Sequence, residues 1–263
     1  MKSFIANALF AGVALATPVD ILMANAKAEM AARNAARRSR AMIATGEVRV
    51  NGTATTVESS NWSGAAVVAS GVTEVTGTFT IPKPSIPSGG SSRTEYCGAA
   101  WVGIDGYANA DLIQTGVLWC VEGSSYLYEA WYEYLPAALI EYSGITVTSG
   151  ESVTVTATKT GTNSGVTTLT AGGTTVTHTF SNQNSPLPGA SAEWIVEDFL
   201  SGNSLVPLAD WGTVTFTGAS AIINGATVTP GSGNAVNIEL ESGNSVVSSE
   251  SISGSTVSVT YTG

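Results

Sequence analysis

Hydrophobic and polar residues alternate in short runs through most of this chain. Val153, Val155 and Ala157 interleave with Thr154, Thr156 and Thr158; Val214 and Phe216 with Thr213, Thr215 and Thr217; Val257, Val259 and Tyr261 with Ser258 and Thr260. A period of two puts apolar side chains on one face of a strand and hydroxyls on the other, the pattern of a half-buried β-strand. Ser88-Gly89-Gly90, Ala171-Gly172-Gly173 and Pro230-Gly231-Ser232-Gly233 separate such runs and supply the backbone freedom that turns need. Regular short strands of this kind predict an all-β domain built as a sandwich of two antiparallel sheets. No internal repeat is evident in the sequence.

The N-terminal part breaks the pattern. After Lys2, the run from Phe4 to Ala16 carries no charge, and it ends in Ala14-Leu15-Ala16, the small-x-small form of a cleavage site. The run is too short for a bilayer, which needs about 20 residues, so residues 1–16 read as a signal peptide and the protein is expected to be secreted. No other stretch is long enough for a membrane helix, and no membrane partner is expected. Residues 17–55 hold six basic side chains (Lys27, Arg33, Arg37, Arg38, Arg40, Arg49) against Asp20, Glu29 and Glu47. Ala24 to Ala44 is alanine-rich, which predicts a helix ending near Gly46.

Charge then reverses. Residues 56–263 contain three basic residues (Lys83, Arg93, Lys159) and seventeen acidic ones. A basic leader ahead of an acidic domain predicts mutual attraction at neutral pH, through the summed field of the domain. Acid would protonate the carboxylates and release the leader. That is the organisation of a zymogen, with residues 17–55 as a pro-segment acting as intramolecular inhibitor of a catalytic domain over residues 56–263. The negative excess argues against nucleic acid as a partner, since phosphate binding needs Lys and Arg. It also predicts a monomer, because like-charged molecules repel.

Composition narrows the chemistry. Only 11% of the 263 residues are charged while 43% are hydrophobic, against a usual charged share of about 25%; ample apolar content argues for a packed core rather than disorder. One His and two Cys cannot build a zinc site of the usual kinds, so no metal and no cofactor are expected. His178, the single imidazole, sits in an alternating strand without a recognisable nucleophile and reads as structural. Cys97 and Cys120 flank two strand-like runs whose turn centres near Ala108-Asn109, which sets the cysteines opposite each other. In a secreted domain the expectation is a disulfide, worth about 3 kcal/mol in the chain-entropy model.

Carboxylates, amides and aromatics remain, concentrated in three segments: Asn61-Trp62-Ser63-Gly64; the stretch from Trp101-Val102-Gly103-Ile104-Asp105-Gly106 through Leu112-Ile113-Gln114-Thr115-Gly116 to Ala130-Trp131-Tyr132-Glu133-Tyr134-Leu135-Pro136; and Ala192-Glu193-Trp194-Ile195-Val196-Glu197-Asp198-Phe199. Along a strand, Trp131 shares a face with Glu133, and Glu193 with Ile195 and Glu197. An acidic, aromatic-lined cleft suits a polymer, and these residues alone leave peptide and sugar chains both open.

Together with Thr56-Val57-Glu58-Ser59-Ser60-Asn61-Trp62 and Tyr142-Ser143-Gly144-Ile145-Thr146, these blocks resemble the glutamic peptidases, the eqolisin family, over most of residues 57–263. The resemblance implies a two-sheet sandwich of the concanavalin-like jelly-roll type and a secreted acid endopeptidase acting on polypeptide substrates. By motif it implies Gln114 and Glu193 as the catalytic pair, and Trp62, Trp101, Asp105, Trp131 and Glu133 as residues of the substrate cleft. The chain departs from the family pattern at Leu118, where an acid is common, and at Leu135, where Tyr is common. Both positions bear on subsite preference.

The implied chemistry is coherent. A carboxylate takes the proton of the attacking water, a step worth roughly 10²–10⁴ in rate, and a side-chain amide donates to the oxyanion, worth about 3–4 kcal/mol. An amide does not titrate, so it serves in acid where an imidazole would be protonated. Two alternatives share the same residue types. A sandwich glycoside hydrolase would use a carboxylate pair such as Glu129/Glu133 or Glu193/Glu197. A lectin-like module would stack sugars on the aromatic patch. Asn61-Trp62-Ser63 and Asn51-Gly52-Thr53 are N-glycosylation sequons, the first too close to the cleft for a glycan to be expected there.

Overall fold

The computed structural model describes residues 36–51 and 54–263; the expected signal peptide, residues 1–16, and residues 17–35 of the expected pro-segment lie outside them. Two large sheets face each other. One runs, in spatial order, through Arg49–Asn51, Ala54–Ser59, Val236–Ser242, Trp62–Val68, Ser191–Glu197, Tyr96–Ile104, Ile113–Glu122, Ser125–Tyr134 and Ile140–Glu141. The other runs through Thr174–Phe180, Ser164–Ala171, Ser152–Gly161, Val72–Thr80, Thr213–Ile223, Thr256–Tyr261 and Ser248–Ser253. The fold is the all-β sandwich that the alternation predicts. Pairing is antiparallel except where Val236–Ser242 runs parallel to Ala54–Ser59.

The two faces of the first sheet do different work. Val102, Ile104, Ile113, Val117, Val196 and Trp194 point into the sandwich and pack with Phe79, Val155 and Phe216 from the second sheet. Phe79 and Phe216 meet edge to face at 5.2 Å, and the Trp194 indole N–H donates to Thr76 O at 2.8 Å, tying the sheets together. The opposite face of the first sheet carries a second apolar cluster containing Trp62, Ala99, Trp101, Leu112, Leu118, Trp131, Leu135 and Ile195. Strands buried on both faces read as continuous apolar runs rather than alternating ones, which is why Tyr96–Ile104 and Ile113–Glu122 lack the clean pattern of the second sheet. There the outer face is solvated. Its hydroxyls pair across strands, as in Thr76–Thr156 and Thr78–Thr154, both at 2.8 Å, so it needs few charges.

Cys97 and Cys120 are directly opposite in register and form a disulfide, as the spacing of the hairpin predicts.

Residues 37–45 differ from the sequence expectation. Of the helix predicted over 24–44, residues 24–35 lie outside the described part, and residues 37–44 are extended. Arg37–Arg38 pairs with Leu200–Ser201, Met42 N–H donates to Gly106 O, and Ala44 bridges to Ser59. These bonds, and the side chains of Arg37 and Ser39 reaching into the domain, override a weak alanine preference for helix. The segment crosses the outer face of the first sheet as a strap and continues into the edge strand Arg49–Asn51.

Candidate active site

The strap covers a row of side chains on the cleft face of the first sheet. Gln114 lies directly across from Glu133 on one neighbouring strand and from Gly103 on the other. Gly103 in turn faces Glu193. One step along the strands, Trp101 faces Gly116 and Ile195, and Gly116 faces Trp131. Glycine at 116 is a packing requirement, since a Cβ there would lie 2.0 Å from Ala100 O and 2.6 Å from Trp101 Cβ. At the far end, Glu197 faces Trp62. All these residues are buried, the glycines included.

Hydrogen bonds join only part of this set. Gln114 Nε2 donates to Glu133 Oε2 at 2.6 Å. Trp101 Nε1 donates to Glu197 Oε2 at 2.8 Å, and the Trp101 and Trp62 rings meet edge to face at 4.9 Å. Ser39 of the strap closes the network: its N–H lies 3.2 and 3.3 Å from the two oxygens of Glu133, and its hydroxyl donates to Glu197 Oε2 at 2.5 Å. Arg40 N–H adds a bond to Glu197 Oε1, while the Trp62 indole N–H donates to Arg40 O. Two residues upstream, Arg37 is 3% exposed and anchors the strap through Glu129 at 3.0 Å, with Glu95 at 4.0 Å.

Glu193 stands apart from that network. Its two carboxylate oxygens are buried and accept no hydrogen bond among the described residues. In register only Gly103 separates it from Gln114, but the space over Gly103 is filled: Leu112 Cδ1 and Trp101 Cζ3 each come within 2.8 Å of where a Cβ would sit. Asp105 is engaged by its own loop and the next one. Its carboxylate accepts Gly189 N–H, Ala190 N–H and an Asn109 amide hydrogen at 2.9, 2.8 and 3.1 Å, so it fixes the loop that feeds the Glu193 strand. Its φ of 74° marks the strained turn into Gly106. Trp131 lies in the cleft cluster with its indole N–H unpartnered among the described residues.

Burial governs the protonation of these acids. It pushes Glu197 up to about 8 against the opposing bonds from Ser39, Arg40 and Trp101. Glu133 is likewise pushed up to about 8 by burial, with the neighbouring Glu197 charge adding to it. Burial also holds Glu193 well above the ordinary range, against the nearby Ser191 hydroxyl, which lowers it, while Asp105 adds to the rise. Under the strap burial favours the neutral form of these groups, because removing a carboxylate from water disfavours its charge.

The other sequence candidates take structural roles. His178 stacks on Tyr132 at 4.0 Å; Tyr132 packs with the sandwich core, on the other side of the sheet from Glu133. The Asn61 amide is buried and donates to Ala41 O, which leaves no room for a glycan. Leu118 and Leu135, where the chain departs from its family pattern, both line the cleft. Among the described residues Glu95, Cys97 and Cys120 lie close enough to share a metal ion, but both sulfurs are taken by the disulfide.

Residues 60–261 match the model of the peptidase A4 family. The chain belongs to the peptidase A4 family. It is 41% identical to aspergillopepsin-2 of Aspergillus niger, with 99% of each chain covered, and 37% identical to scytalidopepsin B of Scytalidium lignicola, covering 88% of this chain and 89% of the relative. Among solved structures, scytalido-glutamic peptidase with a transition-state analogue inhibitor superposes with a TM-score of 0.69 at 35% identity, over 77% of this chain and 98% of that one. Aspergilloglutamic peptidase from Aspergillus niger gives 0.61 at 46% identity, over 63% and 99%. The peptidase therefore has a carboxylate-and-amide cleft on a sandwich face, covered by its own N-terminal strap.

Two features of this site escape the local sequence pattern. Glu193 and Glu197 share a strand face four residues apart, so periodicity gives both the same orientation and cannot rank them. Ser39 and Arg37 sit in a stretch whose composition reads as helix. Only the long-range contacts to Glu197, Glu133 and Glu129 reveal what they do.

Proposed function

We propose that this peptidase is a secreted acid endopeptidase made as a zymogen, in which Glu197 is the general base and Gln114 the oxyanion donor. One observation carries the reading: the Ser39 hydroxyl sits on Glu197 at 2.5 Å while Gln114 and Glu133 meet beside the same residue. A hydroxyl bound to a carboxylate is the arrangement an attacking water needs. The motif alone points to Glu193 as the base. The geometry favours Glu197, because Trp101 and Leu112 stand between Glu193 and Gln114 while Glu197 opens onto the strap.

The chemistry follows from the groups at hand. Once the strap leaves, water reaches Glu197 and its carboxyl loses the burial that keeps it neutral. The Trp101 N–H then holds one oxygen in place while the other accepts the proton of a water attacking the scissile carbonyl. Gln114 has a second amide hydrogen beyond the one given to Glu133, and it stabilises the negative charge that develops on the carbonyl oxygen. Trp62, Trp101 and Trp131 wall the cleft for an extended polypeptide.

The strap acts as inhibitor in two ways. It fills the substrate groove, and it holds the base protonated, which makes it useless as a base. Residues 1–16 as signal peptide and residues 17–55 as pro-segment complete the reading. Digestion of an unfolded protein at about pH 3, just below the carboxylate range, tests it. Cleavage that persists with a chelator and vanishes with Glu197→Gln supports the proposal; an active Glu197→Gln enzyme overturns it.

A further inference from the structure

We infer that Asn61 is a substrate-positioning residue, whose side-chain amide grips the main chain of a bound polypeptide beyond the reacting bond. The inference rests on the reading of the cleft as a peptidase site centred on Glu197, and takes the strap as the path of an extended chain. Asn61 meets two peptide groups of the strap at once. Its Oδ1 accepts the N–H of Ile43 at 2.9 Å, and its Nδ2 donates to Ala41 O at 3.2 Å. One donor and one acceptor that meet residues two apart on the same chain reproduce what a residue of a parallel strand offers its neighbour.

The rest of this stretch is held in the same manner. Trp62 Nε1 donates to Arg40 O, Met42 N–H to Gly106 O, Ser60 N–H to Ile43 O and Thr45 N–H to Glu58 O, each at 3.0 Å. Every one of these bonds ends on a main-chain atom of the strap. The side chains of Ala41, Met42 and Ile43 are apolar. Ile43 is 40% exposed, and it borders with Met42 a cavity of about 480 Å³ that Leu135 and Pro136 also line. This half of the groove therefore reads an extended peptide and leaves its side chains room to vary.

Asn61 has supports of its own. The Ser59 hydroxyl donates to Oδ1 at 3.1 Å, Asn61 N–H donates to Ser59 Oγ at 3.3 Å, and Asn61 O accepts the N–H of Asp198 at 2.9 Å. Asp198 follows Glu197 in the chain, and Glu197 faces Trp62 in register. The grip and the acid are thus fixed to each other by one strand pair. With Ser39 on Glu197, Asn61 takes the residues two and four places further on. A substrate in the direction of the strap must reach that far past the acid to use both bonds. An amide keeps its hydrogens in acid, so the grip persists at low pH.

Substrate length tests the inference. Three quenched peptides share one cleaved bond: a core ending one residue past it, the core with four alanines added at the C-terminal end, and the core with four added at the N-terminal end. Full-length wild-type and Asn61→Ala chains are processed by tagged wild-type enzyme, which is then removed. In the wild type the C-terminal extension should raise kcat/KM about tenfold, the scale of two net hydrogen bonds. The gain should come chiefly through KM, since these bonds are made in the ground state and the transition state alike. Asn61→Ala should lose roughly fivefold more on the C-terminally extended peptide than on the core, and should lose no more on the N-terminally extended peptide than on the core. Equal loss on all three peptides marks a structural role and overturns the inference, as does a wild type indifferent to C-terminal extension. If Asn61→Ala does not fold, Asn61→Ser decides on the same comparison, because its hydroxyl can meet Ser59 but falls short of the peptide. Glu197→Gln should lose all three peptides; activity kept there sinks the base reading alone, because the length comparison measures binding whichever acid is the base.

Discussion

The hydroxyl of Ser39 donates to Glu197 Oε2 at 2.5 Å, on the same carboxyl oxygen that accepts the Trp101 indole N–H at 2.8 Å. A residue of the N-terminal strap thus completes the coordination of the acid at the centre of the cleft.

The first prediction separates the two acids of the Glu193 strand. Glu197→Gln keeps the shape but removes the base, and should lower kcat/KM on peptides by about 10²–10⁴. Gln114→Ala should cost about 10²–10³ in kcat, the usual loss of an oxyanion donor. Glu193→Gln alters a buried acid outside the hydrogen-bond network of Ser39, Glu133 and Glu197, and should leave kcat/KM within a few-fold of wild type. Steady-state assays on one quenched peptide compare all three.

The second concerns the anchor of the strap. Arg37 donates to Glu129 at 3.0 Å in a fully buried setting, and a hydrogen bond to a charged group contributes roughly 1.5–3 kcal/mol. A synthetic peptide covering residues 36–51 with Arg37→Ala should therefore bind the processed domain about ten- to a hundredfold more weakly than the native peptide. Calorimetric titration gives both constants, and equal affinities would remove Arg37 from the account.

The third prediction is a stability slope opposite in sign to ordinary acid denaturation. Glu133, Glu197 and Glu250 have ordinary values near 4.5 and are raised to about 8 in the folded chain, mainly by burial. Between those values the folded state holds protons that the unfolded state has released, so unfolding becomes easier as pH rises. The melting temperature of the full chain should fall from about pH 5 to pH 8 on this account. Glu250 lies outside the cleft, beside Ser248, and Glu250→Gln should flatten the slope without touching activity. The same sign applies to the strap: at Glu133 and Glu197 acid favours closure. On the zymogen reading, acid weakens only the other acid–base contacts of the leader, such as Arg49 with Glu58 and Glu239.

The fourth concerns the disulfide. The bridge closes a loop of sequence separation 23, for which the chain-entropy relation gives about 3 kcal/mol. Replacing both cysteines by serine should lower the melting temperature by roughly 6–12 °C for a domain of this size. The bridge also borders the Arg37 pocket, through a 3.6 Å contact between Arg37 Nη2 and Cys120 Sγ, so strap affinity should fall in the same variant. Scanning calorimetry and the peptide titration report the two effects separately.

The sequence by itself determined the strands, the turn that sets Cys97 against Cys120, the sandwich, and the faces on which Gln114, Glu133, Glu193 and Glu197 lie. These are local matters: a period of two, a glycine pair, a hairpin register. Tertiary structure decided which of these acids the N-terminal strap touches: Ser39 bonds Glu133 and Glu197, not Glu193. Glu193 and Glu197 have the same parity, and only long-range contacts make their surroundings differ: Ser39, Arg40 and Trp101 bond Glu197, whereas Leu112 and Trp101 close over Gly103 beside Glu193. Residues 37–44 have the composition of a helix, and only distant partners hold them extended: Glu129, Glu133 and Glu197, which lie 92, 94 and 158 residues away in the chain. Local pattern fixes the direction in which a side chain points, whereas partners and burial depend on contacts between residues far apart in sequence.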